Sequence, residues 1–187
     1  MTNVHIINSS INNDVYASHA GPEDMNVIRD LIVKTVSWFE SIGSTQWNNL
    51  PNEQDDQYLL SAIANGEIII FRKAGETALA GSVILQQHPS QWDQKLWGEA
   101  ATSENNAVYL HRFIVNREYA RQGLGFEILS WIDNGIQFTG RDRIRLDCIA
   151  HNEKLNNYYK QCGYTTISEN DGFIIYEKLH SQRTTSN

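Results

Sequence analysis

The stretch from Tyr109 to Tyr164 constrains this chain more than any other. An apolar run, Tyr109-Leu110-His111-Arg112-Phe113-Ile114-Val115, reads as a strand. It is followed by the turn Arg121-Gln122-Gly123-Leu124-Gly125, which opens a helix. A second strand, Ile144 to Ile149, leads through a polar turn at Asn152 into a short helix carrying Tyr158-Tyr159-Lys160-Gln161-Cys162-Gly163-Tyr164. The glycines leave bare backbone N–H groups at a helix start, which suits a pyrophosphate. The tyrosine downstream supplies a hydroxyl able to act as an acid. Such a chain is expected to hold a phosphate-bearing carrier and to move a group from it.

The flanking sequence fills in a mixed α/β order. Residues 1–13 are rich in Asn and Ser and read as a flexible arm, with Val4 to Ile7 its only strand-like piece. Val15 to His19 reads as the first strand of a single domain spanning 14–180. Gly21-Pro22-Glu23-Asp24 starts a helix whose apolar residues, Val27, Ile28, Leu31, Ile32, Trp38 and Phe39, recur at helical spacing. A second helix covers Gln54 to Ala64 and stops at Asn65-Gly66. The period then shortens to that of strands at Ile68 to Phe71 and Ala78 to Leu85. A polar insert, His88 to Asn106, precedes the strand at Tyr109, and two final strands, Thr165 to Ser168 and Phe173 to Lys178, follow Tyr164. The tail 181–187 is polar and expected to be disordered. The fold class expected is α/β: a mixed, mostly antiparallel central sheet with helices on both faces.

Charge and cysteine content narrow the function classes. A net charge of −7 with no Lys/Arg run argues against nucleic-acid binding. No stretch approaches membrane-spanning length, and the N-terminus lacks the basic and apolar regions of a signal peptide, so a cytoplasmic protein is expected. Cys148 and Cys162 are expected to be reduced. The histidines show no metal-ligand spacing, so no metal site is expected.

Two other phosphate motifs are excluded. A P-loop needs Gly-Lys-Ser/Thr, where this chain has Gly125-Phe126-Glu127. A dinucleotide fingerprint needs a third small residue where Ile128 stands. Strand, glycine turn, helix, strand, Asn, then Tyr four residues before Gly-Tyr resembles the layout of the Gcn5-related N-acetyltransferases (GNAT superfamily), from about Val15 to Lys178. The resemblance implies acetyl-CoA as cofactor. The backbone at Phe113, Ile114 and Val115 would bond its pantetheine arm, and the amides of Arg121, Gln122, Gly123, Leu124, Gly125 and Phe126 its pyrophosphate. Asn152 matches the family's asparagine and Tyr159 its tyrosine acid. The family prefers Gln or Arg three residues before the first glycine, where this chain has Ala120. A monomer or homodimer is implied.

Transfer of an acetyl group to an amine needs a neutral amine, a stabilised carbonyl oxygen and a proton for the leaving thiol. Tyr159 is the candidate acid, with neighbouring Tyr158 as the alternative. His111 is the candidate base: it is expected on one strand face with Tyr109 and Phe113, and imidazole titrates near neutrality. Leu110-His111 also resembles the corresponding strand of the aralkylamine N-acetyltransferases, where a histidine relays protons. Glu99 and Asp147 are substitutes, and Asp147 is also a candidate acceptor contact. Trp38 and Trp47 are the candidate acceptor walls; Ser41 to Trp47 resembles a helix-loop of bacterial small-molecule acetyltransferases. An acetylated Cys148 or Cys162 is conceivable, but direct transfer is expected. The acceptor expected is a small-molecule primary amine. Acetylation of a protein N-terminus or lysine, and a non-catalytic acyl-CoA sensor, stay open.

Overall fold

A computed structural model describes residues 3–102 and 106–180; the tail 181–187, expected to be disordered, lies outside the described residues. A seven-stranded sheet carries the domain, in the order β2 (Val15–His19), β3 (Ile68–Lys73), β4 (Leu79–Gln86), β5 (Ala107–Val115), β7 (Arg143–Ile149), β9 (Phe173–Leu179), β8 (Thr165–Asn170). Every neighbouring pair is antiparallel except β5 and β7. Helices α1 (Met25–Ser41), α2 (Glu53–Ala64) and α3 (Gln91–Trp97) cover one face. Helices α4 (Leu124–Asn134) and α5 (Glu153–Gln161) cover the other. No helix among the described residues is long and apolar enough to cross a membrane.

The sheet's alternation sorts the core. Ile68, Ile70, Ile84 and Ile114 point toward α1 and α2. Ile69, Phe71, Val83, Leu85, Val108 and Leu110 meet α4, which presents Leu124, Ile128, Leu129 and Ile132 at helical spacing. Tyr109 packs with Leu96 and Trp97 of α3, on the α1/α2 side.

Residues 4–13, read above as a flexible arm, are tied down. Val4–Ile6 (β1) pairs antiparallel with Ile136–Phe138 (β6), a strand that the sequence pattern had not marked. Val4 is fully buried, Trp131 Nε1 donates to the Asn8 carbonyl at 2.6 Å, and Asn12 donates to Glu127 at 2.6 Å. A three-residue strand is too short to show period 2; it is held by its pairing and by Val4, Ile136 and Phe138, buried in the core with Leu129 and Ile132 of α4.

Two irregularities shape the centre of the sheet. The parallel pairing of β5 with β7 ends at Tyr109 opposite Arg145, so the strands part beyond that rung. On the β4 side, Ser82 faces Ile114 and Ile84 faces His111, which leaves two residues of β5 opposite one of β4. This β-bulge falls at Arg112, whose φ of 46° is left-handed. A non-glycine residue there costs about 1–3 kcal/mol and persists only where its surroundings hold it. Arg112 is held by an ion pair with buried Asp55 and by the Tyr58 ring 5.0 Å away.

Candidate active site

The bulge changes which β5 side chains share a face. His111 lies with Tyr109 on the α1/α2/α3 side, but Phe113 does not join them: it packs with Val115 into the α4/α5 core. The expected alternation of Tyr109, His111 and Phe113 fails because the extra residue at Arg112 shifts the phase by one. His111 and Asp147 are the first same-face residues past the last paired rung of β5 and β7, so both border the opening between the strands.

A third residue meets them there. His111 Nε2 lies 3.0 Å from Asp93 Oδ2 of α3. Trp92, next along α3, donates to Asp147. One ligating atom from each of Asp93, His111 and Asp147 falls within 4.8 Å of the others. That spacing admits a metal ion, yet Asp93 Oδ2 already accepts Ser90 N at 2.7 Å and Ser90 Oγ at 2.6 Å. The arrangement is a hydrogen-bonded cluster more than a ligand set. Burial pushes the Asp147 carboxyl above its ordinary range, against the lowering effects of His111 and Trp92. Its negative charge is therefore lost earlier on acidification than that of an exposed Asp. Glu99, the other carboxylate singled out above, is exposed on the 3₁₀ turn after α3 and has no described part in this cluster.

The opposite side of the opening carries the glycine turn. Gly123 caps α4 at φ 81°, a left-handed conformation suited to glycine, and no side chain caps the helix's first N–H groups. By contrast Asn52, Ser90 and Asn152 cap α2, α3 and α5. Arg121, Gln122 and Phe126 are exposed around the turn, while Leu124 is buried beneath it. Phe126 meets the Tyr158 ring edge-on at 4.9 Å. At Gly125 an added Cβ would lie 2.6 Å from the Tyr158 hydroxyl and 3.6 Å from Val115 Cγ2. Among the described residues, no strand pairs with the β7-facing edge of β5 beyond Tyr109, so the backbone of Phe113, Ile114 and Val115 borders the gap on that side.

The remaining candidates divide. Asn152 spends its side-chain oxygen on Leu155 N at 3.1 Å, as the cap of α5. Tyr159 is buried among Tyr158, Tyr164 and Tyr176. Burial first, then Cys148, raises the Tyr159 pKa well above that of free tyrosine, so the ring keeps its proton. Tyr158 is half-buried, and burial raises its pKa too. Both cysteines are free thiols, and burial pushes the Cys148 thiol up to about 12, which disfavours a thiolate nucleophile. Trp38 lies under the Arg117 guanidinium at 4.0 Å, and Trp47 meets Phe39 edge-on at 5.5 Å while packing on the α1/α2 core. Sequence reading missed Asp93, Tyr58 and Arg112. Only Ser90-x-x-Asp93 left a local trace, as a capping box, and nothing local tied it to His111.

Among the described residues the sheet parts beyond its one parallel strand pair, with an uncapped glycine-led helix on one side and a His–Asp cluster on the other; the sequence and the fold match known proteins. The acetyltransferase (GNAT) family model covers residues 32–164. The chain belongs to the GNAT family of N-acetyltransferases. It is 38% identical over 179 residues to the uncharacterised N-acetyltransferase YesJ of Bacillus subtilis, covering 95% of this chain and 97% of that protein. A GNAT-family acetyltransferase structure from Listeria monocytogenes superposes with a TM-score of 0.70 at 32% identity, over 88% of this chain and 94% of that one. The microcin C7 self-immunity acetyltransferase MccE, solved with acetyl-CoA and AMP, shares the fold at a TM-score of 0.57 and 18% identity, over 90% and 94% of the two chains.

Proposed function

We propose that this acetyltransferase uses acetyl-CoA and acetylates a primary amine of a small molecule by direct transfer. The observation that carries the reading is the opening between β5 and β7, reached from two faces by two kinds of chemistry. On the α4 face, the uncapped amides from Arg121 to Phe126 would hold the pyrophosphate, and the free edge at Phe113 to Val115 the pantetheine arm. The fit rests on Gly125, where the Tyr158 hydroxyl already occupies the place a side chain would take. MccE, solved with acetyl-CoA on the same fold, supports acetyl-CoA as the donor.

When bound, acetyl-CoA supplies the acetyl group as a thioester with a thiol as leaving group. The chain's own residues move protons. His111 takes a proton from the acceptor's ammonium group, freeing the nitrogen lone pair. Asp147 and Trp92 border the place where that group arrives, and carboxylates there favour a cation. Tyr159, held protonated by burial, is the proposed source of the proton for the leaving thiol. A recessed cluster suits a small acceptor: Asp93 is buried and the His111 side chain is only 17% exposed. Trp38 and Trp47 have ring partners of their own, so Trp92 and Tyr58 join them as candidate walls.

Calorimetry with acetyl-CoA, against free CoA, followed by a panel of small primary amines and of peptides with free N-termini or lysines, tests the reading. Binding with CoA release on a small amine is expected. Release on peptides alone would make the acceptor a protein, binding without release on any member would favour a sensor, and no binding would end the proposal. His111→Ala is expected to slow turnover most below about pH 8, where the acceptor amine most needs to lose its proton. An equal loss at every pH in a rate–pH profile would make His111 a packing residue.

A further inference from the structure

Asp93 is only 2% exposed, and its place in a helix cap does not account for that. It is the third residue of α3, where a capping-box carboxylate accepts the backbone N–H of the cap residue, here Ser90. Such boxes serve a helix end at the surface. This one is turned inward, and its Oδ2 takes the His111 imidazole at 3.0 Å besides Ser90 N and Ser90 Oγ. The two serine donors fix the carboxylate from within its own helix, independently of His111. An ionised carboxylate only accepts, so Nε2 carries the proton and Nδ1 keeps the lone pair.

We propose that Asp93 is the positioning residue for His111, fixing its tautomer and ring orientation and holding the positive charge that the ring gains. The inference rests on His111 being the base. In the step it supports, an N–H bond of the acceptor's ammonium breaks and an N–H bond forms at His111 Nδ1. The positive charge passes from the acceptor to the ring, directly against the Asp93 carboxylate. The other charged groups nearby do not replace it. Asp147 approaches from β7, with its charge weakened by burial. Arg112, next on β5, is paired with Asp55 of α2. Glu67, close enough to act on Tyr58 together with Asp93, accepts Gln87 N at 2.8 Å. Arg145, behind Tyr109, is paired with Glu177 at 2.9 Å, and Arg141 donates to the Gln87 carbonyl at 2.8 Å. Tyr58 donates to Gln86 at 2.9 Å and, with its pKa raised by burial, stays neutral.

The test compares Asp93→Asn, Asp93→Glu and Ser90→Ala. Asn removes the charge but keeps an acceptor for Ser90 N. Glu keeps both charge and capping box but moves the carboxylate by one methylene. Ala removes the Ser90 hydroxyl, which accepts from Asp93 N and donates to Asp93 Oδ2, and keeps the Asp93 charge beside His111. Rate–pH profiles use the amine that releases CoA most rapidly in the panel. The His111 imidazole is titrated by NMR in the same proteins, its signal assigned by its loss in His111→Ala. Asp93→Asn is expected to lower kcat/KM by roughly tenfold to a hundredfold, part of what general-base catalysis supplies. It should also move the acid limb of the profile and the NMR midpoint down together, since a positive ring has lost its counter-charge. Asp93→Glu should lower the rate as well, and it serves alone if the Asn protein does not fold. Ser90→Ala, which keeps the Asp93 charge, should lower the rate by clearly less than Asp93→Asn does. An unmoved midpoint in Asp93→Asn, or equal losses in Asp93→Asn and Ser90→Ala, would reduce Asp93 to a helix cap. A moved midpoint with unchanged turnover would overturn the proposal differently, by showing that His111 is not the base.

Discussion

Gly125→Val is expected to weaken acetyl-CoA binding by about a hundredfold, measured by calorimetry, with the protein still folded by circular dichroism. The reason is local. A Cβ at position 125 would lie 2.6 Å from the Tyr158 hydroxyl, closer than non-bonded carbon and oxygen approach, so either the ring or the start of α4 must shift. Overpacking of this kind costs about 1–3 kcal/mol, and the larger figure corresponds to the expected loss if it falls on the geometry of the amides rather than on the core. The contact also gives a rescue. Gly125→Ala alone should weaken binding, whereas Gly125→Ala with Tyr158→Phe should recover most of it. With the hydroxyl gone, the nearest atoms are Tyr158 Cζ and Val115 Cγ2, both at an ordinary 3.6 Å. A double-mutant cycle showing no such recovery would mean that Gly125 is required by the ligand itself and not by Tyr158. At Gly123 a Cβ meets nothing within 4 Å, so a substitution there would act through the left-handed backbone and not through crowding.

What could be read ahead of the structure followed from how local its causes were. The strand of Val15–His19 and the helix ending at Ala64 are fixed by short-range pattern and by Asn65-Gly66, and the structure has them at those residues. The turn at Gly123 is a backbone requirement and was legible for the same reason. The β1–β6 pair was not, because strands of three residues carry no period and each depends on a partner far away in sequence. The bulge at Arg112 was hidden too. An unbroken apolar run conceals a one-residue phase shift, and the left-handed backbone is held by Asp55 and Tyr58 on α2. That shift removed Phe113 from the face of His111. The partner of His111 escaped likewise: Asp93 lies in the polar insert, and only the packing of α3 on the sheet brings it to the imidazole.

The two adjacent tyrosines give the second large effect. Tyr159→Phe is expected to lower kcat by roughly tenfold to a hundredfold with little change in acetyl-CoA affinity. That is the low end of acid catalysis, because a thiol is already a good leaving group. Tyr158→Phe is expected to leave kcat within about threefold, a loss comparable to one ordinary hydrogen bond. Burial keeps both hydroxyls protonated across the working pH range; what favours Tyr159 is its place, since Cys148 on β7, bordering the same gap, is among the groups acting on it. Tyr158 has its ring on Phe126 and its hydroxyl toward Gly125, in the region proposed for the pyrophosphate. The alternative has its own signature. If Tyr158 is the acid, Tyr158→Phe will carry the loss in kcat, and Tyr159→Phe will instead lower the melting temperature, since Tyr159 packs against Tyr164 and Tyr176 in the core. Steady-state kinetics and thermal melts on the two variants separate these cases. An acid role also predicts that Tyr159→Phe loses least with thioesters of more acidic thiols, which depart without a donated proton, whereas a packing role predicts the same loss for every thioester.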